Sequence, residues 1–269
     1  LTSIDIPSSV TSIGSYAFSQ CSNISTINMP SSVTRIGKYA FYMCSNLTKI
    51  DIPDGITSIE EGTFHGCEYL ATINIPSSVM SFGKYAFDGC TSLTVIDIPN
   101  GVNVIEDYVF ASCNSLQSID LPKDVTSIGD FAFHCCFKIS TIDIPNSVKK
   151  IGKKAFCWCN SLTNIRVYTE EPSNINILSQ EIDGIFEYVP VKTCVLYVPN
   201  GSEELYRQTR PWSDFSNIVG FDPTGITSTV MDEENADYYS VDGKNVSNPN
   251  NGIFIKKSND GTTKKVLIR

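Results

Sequence analysis

Apolar and polar positions alternate in short runs, and the runs return every 23 residues. In the first copy, Leu1 to Asn23, the apolar positions are Leu1, Ile4, Ile6, Val10, Ile13, Ala17, Phe18 and Cys21; the next copy reopens with Ile24, Ile27 and Met29. Ile4 and Ile6 flanked by polar Ser3 and Asp5 give the period of a strand with one buried face. Pro7 ends that strand because it has no N–H to give to a ladder. Ser8-Ser9, Asp54-Gly55 or Asn100-Gly101 then make a turn. Val10 and Ile13 form a second inward edge, and Gly14, Gly37, Gly83, Gly129 and Gly152 open the next bend. Ala17, Phe18 and Cys21, at spacings of one, three and four, predict about one and a half helical turns over residues 15–21.

Three columns hold this register over seven copies. They are Pro7, Pro30, Pro53, Pro76, Pro99, Pro122 and Pro145; Phe18, Phe41, Phe64, Phe87, Phe110, Phe133 and Phe156; and Cys21, Cys44, Cys67, Cys90, Cys113, Cys136 and Cys159. Such periodicity marks one supersecondary unit stacked on itself. Equivalent strands then lie side by side as a parallel sheet, about 4.8 Å apart. Eight strands, the last holding Ile165 and Val167, predict one continuous ladder on one face. The fold expected is an α/β solenoid whose coils bury their apolar sets against their neighbours, with covered ends.

The pattern C-x-x-L-x-x-I-x-I-P-x-x-V-x-x-I-G-x-x-A-F is seen in CSNLTKIDIPDGITSIEEGTF and CTSLTVIDIPNGVNVIEDYVF. It resembles the BspA-like leucine-rich repeats of bacterial and protozoan surface proteins. Glu60 and Glu106 replace the glycine, and Thr63 and Val109 the alanine. The resemblance covers residues 1–167 and implies a right-handed solenoid. Residues 168–222 read as a capping segment: VPNGSEELYRQTRPWSDFSNIV is similar to the closing segment of such proteins. In it, Ser202 is placed to cap a short helix, and Trp212, Phe215 and Ile218 to cover the open end. Residues 223–235 read as a linker. Residues 236–269 read as a small antiparallel β module with turns at Asp242-Gly243 and Asp260-Gly261; it is similar to C-terminal sorting modules of exported Bacteroidetes proteins.

Composition narrows the functions. Hydrophobic residues make 41 % of the chain and charged ones 18 %, which suits a continuous core. The net charge is −9, whereas residues 236–269 carry six basic residues against three acidic, so the acidity belongs to the residues that precede them. Nucleic acid is an unfavourable partner for such a body. No apolar run is long enough to span a bilayer. The chain starts at Leu1 without a leader, and an export signal, if any, is expected to be absent from this sequence.

The stacking lets distances be estimated, and it disfavours catalytic sites. His65 and His134 stand three coils apart in one column, roughly 14 Å, too far to share a metal. Ser19, Tyr42, His65 and Asp88 also share that column, but Tyr42 separates the serine from the histidine. Cys157 lies one coil from His134 with no carboxylate evident to orient the pair. Cys135, Cys136, Cys157 and Cys159 have the makings of a zinc set, except that Cys136 and Cys159 belong to the inward column. The cysteine column is expected to be small, buried and apolar, with disulfides between coils as the alternative. No catalytic residue, metal ligand or cofactor is assigned.

Two columns remain as binding candidates. On the outward face of the sheet run Asp5, Asn28, Asp51, Asn74, Asp97, Asp120, Asp143 and Arg166. Three successive aspartates at this pitch repel one another. The column is open to three readings: a solvated face kept polar against sheet association, a site for a cationic protein surface, or a calcium bridge. On the helical side run Tyr16, Tyr39, Tyr85, Tyr108 and Phe131, either half-buried packing or an aromatic contact surface for protein or glycan. A repeat protein of this kind is expected to be a non-catalytic, secreted or cell-surface binding protein. The resemblance implies adhesion to host matrix proteins or to other bacteria, with surface glycan binding or substrate capture as the alternative.

Overall fold

The computed structural model describes residues 2–177, 184–224, 226–228, 237–240, 244, 252–257 and 263–268. The chain divides into two compact units, 1–219 and 220–269. The first is a β-solenoid with a 23-residue period. Its front strands, Ser3–Asp5, Thr26–Asn28, Lys49–Asp51 and Thr72–Asn74, pair in parallel, with Ile4 opposite Ile27 and Ile50 opposite Ile73. A second set of two-residue strands follows the prolines, with Ser12–Ile13 on Arg35–Ile36, Ser58–Ile59 on Ser81–Phe82, and Val104–Ile105, Ser127–Ile128 and Lys150–Ile151 in one ladder.

Residues 15–21 form no helix, which corrects the α/β class. In each coil the residues equivalent to Tyr16 and Gln20 are left-handed: Tyr16 has φ +59°, Gln20 +60°, Tyr108 +59° and Cys135 +60°, while Gly62, Gly66 and Gly89 take these places in other coils. A left-handed residue ends α-helical bonding at once. The backbone instead alternates between two partners. Tyr16, Phe18 and Gln20 donate to Lys38, Ala40 and Tyr42 of the next coil, and Ala17, Ser19 and Cys21 donate three residues back within their own. The turn side of the solenoid is therefore a hydrogen-bonded stack in its own right.

Between these walls the columns close the core. Phe41, Phe64, Phe87, Phe110, Phe133 and Phe156 are buried, and neighbouring rings stack with centroids 5.5–5.6 Å apart. Burying one such ring contributes about 1.5–3 kcal/mol and each stacked pair about 0.5–1.5 more. The ladder of rings continues through Phe156 to Phe186, and Trp212 and Phe215 pack on Phe186. Trp212, Phe215 and Ile218 are buried and cover the end of the column as expected. The short helix Glu203–Gln208 is present with Glu203 and Glu204 in its first turn, but Ser202 does not cap it. Its hydroxyl donates to Pro199 O at 2.6 Å, tying the helix to the strand before it.

In the second unit, strands Asp237–Ser240, Gly252–Lys257 and Thr263–Ile268 pair antiparallel in succession, and Ile226–Ser228 pairs parallel with Thr263–Ile268. The sheet is mixed, and its parallel strand lies in the stretch expected to be linker. The two Asp-Gly turns lie outside the described residues.

Candidate binding face

The expected continuous front ladder is broken. It runs through four coils, stops at Thr72–Asn74, and resumes as Thr141–Ile144, Asn164–Val167, Val195–Pro199 and Asn217–Phe221. The two coils between are those of Asp97 and Asp120. There the bonds Thr94 N–H to Ala71 O, Gln117 N–H to Thr94 O and Ser140 N–H to Gln117 O keep the register. Among the described residues, backbone N–H groups of 95–98 and 118–121 have no bonded partner.

The side chains supply the reason. Asn28 Nδ2 donates to Asp5 Oδ1 at 2.6 Å and Asn74 Nδ2 to Asp51 Oδ1 at 2.9 Å, so carboxylate and carboxamide make rungs across the coils. Lys49 adds an ion pair to Asp51 at 3.2 Å. Past Asn74 the alternation stops, and Asn74 has already given its amide to Asp51. Asp97 and Asp120 are exposed, and neither has a side-chain hydrogen bond or ion pair among the described residues. Two ionised carboxylates about 4.8 Å apart repel where a rung would attract. Val95, 51 % exposed, lies beside Asp97 on the same face. Asp143 differs: Arg166 Nη1 donates to its Oδ1 at 3.3 Å and the Tyr168 hydroxyl to its Oδ2 at 3.1 Å, while the Arg166 guanidinium lies 5.3 Å from the centre of the Tyr197 ring.

In the sequence, Asp51, Asn74, Asp97, Asp120 and Asp143 form one set. The structure puts them on one face in three electrostatic states: paired, bare and clamped. Arg166 closes the column expected from the sequence; Tyr168 and Tyr197 stand outside it, although alternation from Asn164 points 166 and 168 to the same side.

On the turn side, Tyr16 stacks on Tyr39 at 5.2 Å, and Tyr85, Tyr108 and Phe131 stack at 4.8 and 4.7 Å. Gly62 interrupts the column, and the Tyr39 ring fills the space its side chain would take. The Tyr39 hydroxyl donates to Glu61 Oε1 and Lys38 Nζ to Glu61 Oε2, each at 3.0 Å. The bonds from Lys38 and Tyr39 hold the Glu61 carboxyl below its usual range. Burial, and then Glu61, push the Tyr39 hydroxyl up to about 12. The rings within each stack cover one another's faces, while Tyr16, at the end of its stack, is 57 % exposed.

The inward cysteines are buried from Cys44 to Cys159, and all ten thiols are free. Each also does what an apolar side chain cannot: Cys67 donates its S–H to Phe41 O at 3.1 Å and Cys136 to Phe110 O at 3.1 Å, and the bond recurs along the column. His65 Nε2 lies 3.6 Å from Asp88 Oδ2, with Tyr42 set edge-on against His65. Cys157 Sγ lies 3.7 Å from Glu187 Oε2, a carboxylate the sequence reading did not place there, and burial pushes its thiol up to about 11. Among the described residues no three His, Cys, Asp or Glu side chains converge to hold a metal ion, and no helix is long and apolar enough to cross a membrane.

No curated protein matches the chain. Among solved structures it is similar to a leucine-rich repeat protein of Bacteroides ovatus, with 23 % identity over 82 % of this chain and 69 % of that one and a TM-score of 0.46. It is similar to the leucine-rich repeat protein of T. pallidum at 24 % identity, over 77 % and 82 % of the two chains, with a TM-score of 0.44. The pneumococcal vaccine antigen PcpA is similar at 17 % identity, over 82 % and 68 %, also with a TM-score of 0.44. The pattern of the BspA type leucine rich repeat region matches six copies, over residues 1–103 and 80–189. With that pattern spanning more than half of its length, the chain belongs to the BspA-type leucine-rich repeat family.

Proposed function

We propose that this chain is a non-catalytic binding protein, secreted or held at a cell surface, that adheres to a host matrix or bacterial surface protein through its front face. The observation that carries this reading is the contrast along one column. Asp5, Asp51 and Asp143 have partners, whereas Asp97 and Asp120 are exposed without any among the described residues, beside an exposed Val95. Bare carboxylates bordering a small apolar spot, on a wall stiffened by the ring column, suit a basic protein surface bearing an aliphatic contact. A thiol raised by burial at Cys157 is not a nucleophile at neutral pH, which favours binding over catalysis.

The test is binding of the purified chain to immobilised matrix proteins and polysaccharides at two salt concentrations. A protein hit weakened by salt and lost in Asp97→Asn/Asp120→Asn supports the reading. Protein binding that the double variant retains at full strength overturns it. A glycan hit lost in Tyr85→Ala and Tyr108→Ala would favour the turn-side alternative instead.

A further inference from the structure

We propose that the cleft at the C-terminal end of the front face is a subsite for one pyranose ring of a glycan. This inference does not depend on the docking of a protein at Asp97. The cleft has a volume of about 380 Å³, near the small end of ligand sites and suited to a single sugar. Leu121 and Pro145 contribute apolar surface to it, and the half-buried ring of Tyr168 lines it as well. Together they offer C–H and aromatic surface of the kind that the apolar face of a pyranose covers.

Polar groups line the same space. Asp143 is fixed by two donors, Arg166 on one oxygen and the Tyr168 hydroxyl on the other, so its remaining lone pairs are held in place for a ligand hydroxyl. Asp120 has both carboxylate oxygens available, and the Asn146 side chain brings a donor and an acceptor. Vicinal hydroxyls, each both donor and acceptor, answer such a mixture of acceptors and one carboxamide.

Charge separates a sugar from a basic side chain here. Two carboxylates, Asp120 and Asp143, line the cleft; Lys123 also lines it, Arg166 is bonded to Asp143, and Lys149 Nζ donates to Asn146 O at the rim. Among these neighbours the carboxylates do not outnumber the cations, so the cleft has no local excess of acid to draw in a basic side chain. The bare pair at Asp97 and Asp120 has no such compensation on the Asp97 side. The two ends of one face therefore differ in chemistry, with Asp120 at their border.

The test is saturation-transfer NMR on the full chain with free glucose, galactose, mannose and N-acetylglucosamine, and with free arginine, each in turn. At least one sugar should bind, and Asn146→Ala or Asp120→Ala should weaken it roughly tenfold, the equivalent of one hydrogen bond to a charged group. Asp97→Asn should leave sugar binding unchanged while it affects any protein binding, which separates failure here from failure of the adhesive reading. Asp120 is exposed and Asn146 is exposed, so the variants keep the fold. Absence of binding by all four sugars, sugar binding that survives both alanine variants, or binding of arginine alone would overturn the proposal.

Discussion

Cys90 donates its thiol hydrogen to the carbonyl oxygen of Phe64, 3.2 Å away and 26 residues earlier in the chain. The same carbonyl accepts the N–H of Cys67 in its own coil, so one oxygen joins two coils. Cys90→Ala deletes one of these bonds and a buried sulfur, and should cost about 1–2 kcal/mol. The denaturant midpoint should fall at unchanged slope. An alanine variant as stable as the parent would reduce the thiol to a space-filler.

Burial should also govern thiol chemistry. Only Cys21 and Cys135 are partly exposed among the ten. A thiol-specific dye added to the native protein at neutral pH should label two sites quickly and the rest at the rate of unfolding. Peptide mapping after brief alkylation reads this directly; fast labelling of Cys90 or Cys113 would contradict the packing.

Alkaline pH should destabilise the solenoid. Burial raises the Cys44 thiol from 9.0 to about 11 and holds Cys67, Cys90 and Cys136 well above 9.0. A raised folded value means the unfolded chain releases the proton first, so stability is full below pH 9 and falls as pH rises towards 11. Denaturant midpoints taken at pH 8 and above pH 10 should show the loss, and Cys67→Ala/Cys90→Ala should flatten it. A midpoint indifferent to pH would remove the thiols from this account.

Asp97→Asn should stabilise the protein while weakening adhesion. The new carboxamide can donate back to the Asn74 carboxamide oxygen, as Asn28 does to Asp5 and Asn74 to Asp51, and the repulsion with Asp120 disappears. The gain is a few tenths to about 1 kcal/mol, largest at low salt. Thermal midpoints at two ionic strengths test it, and a lower midpoint in the variant would mean the repulsion does not strain the ladder.

Gly62→Ala tests the interrupted tyrosine column. Gly62 has φ +61°, and a Cβ there would run into the Tyr39 ring. Left-handed strain and overpacking should together cost about 2 kcal/mol or more. The displaced phenol should then titrate below the value of about 12 that burial and Glu61 give it. An unchanged phenol titration would show that Tyr39 can share the space.

The repeat, its inward columns and the covering role of Trp212 were legible in the sequence because each rests on burial, and burial leaves a periodic mark. The turn was misread because Ala17, Phe18 and Cys21 have the spacing of a helix. Tyr16 and Gln20 do not advertise a left-handed backbone. Gly62, Gly66 and Gly89 did carry the signal, standing in those same two places. On the front face, the aspartates were visible but their inequality was not. It depends on which neighbour has an amide to give, and on Arg166 and Tyr168, which belong to the coil where the period ends.

The alternating bonds of the turn side give each coil the same two sets of partners, one ahead and one within. Replication slippage that adds or removes a whole coil leaves the backbone bonds of the turn, the phenylalanine stack and the thiol contacts of the remaining coils with a counterpart. Loss of one residue inside a coil would throw donors and rings out of line with both neighbours. Copy number is therefore the dimension along which such a gene can drift without its protein having to adapt, and with it varies how much front face there is to carry a ligand.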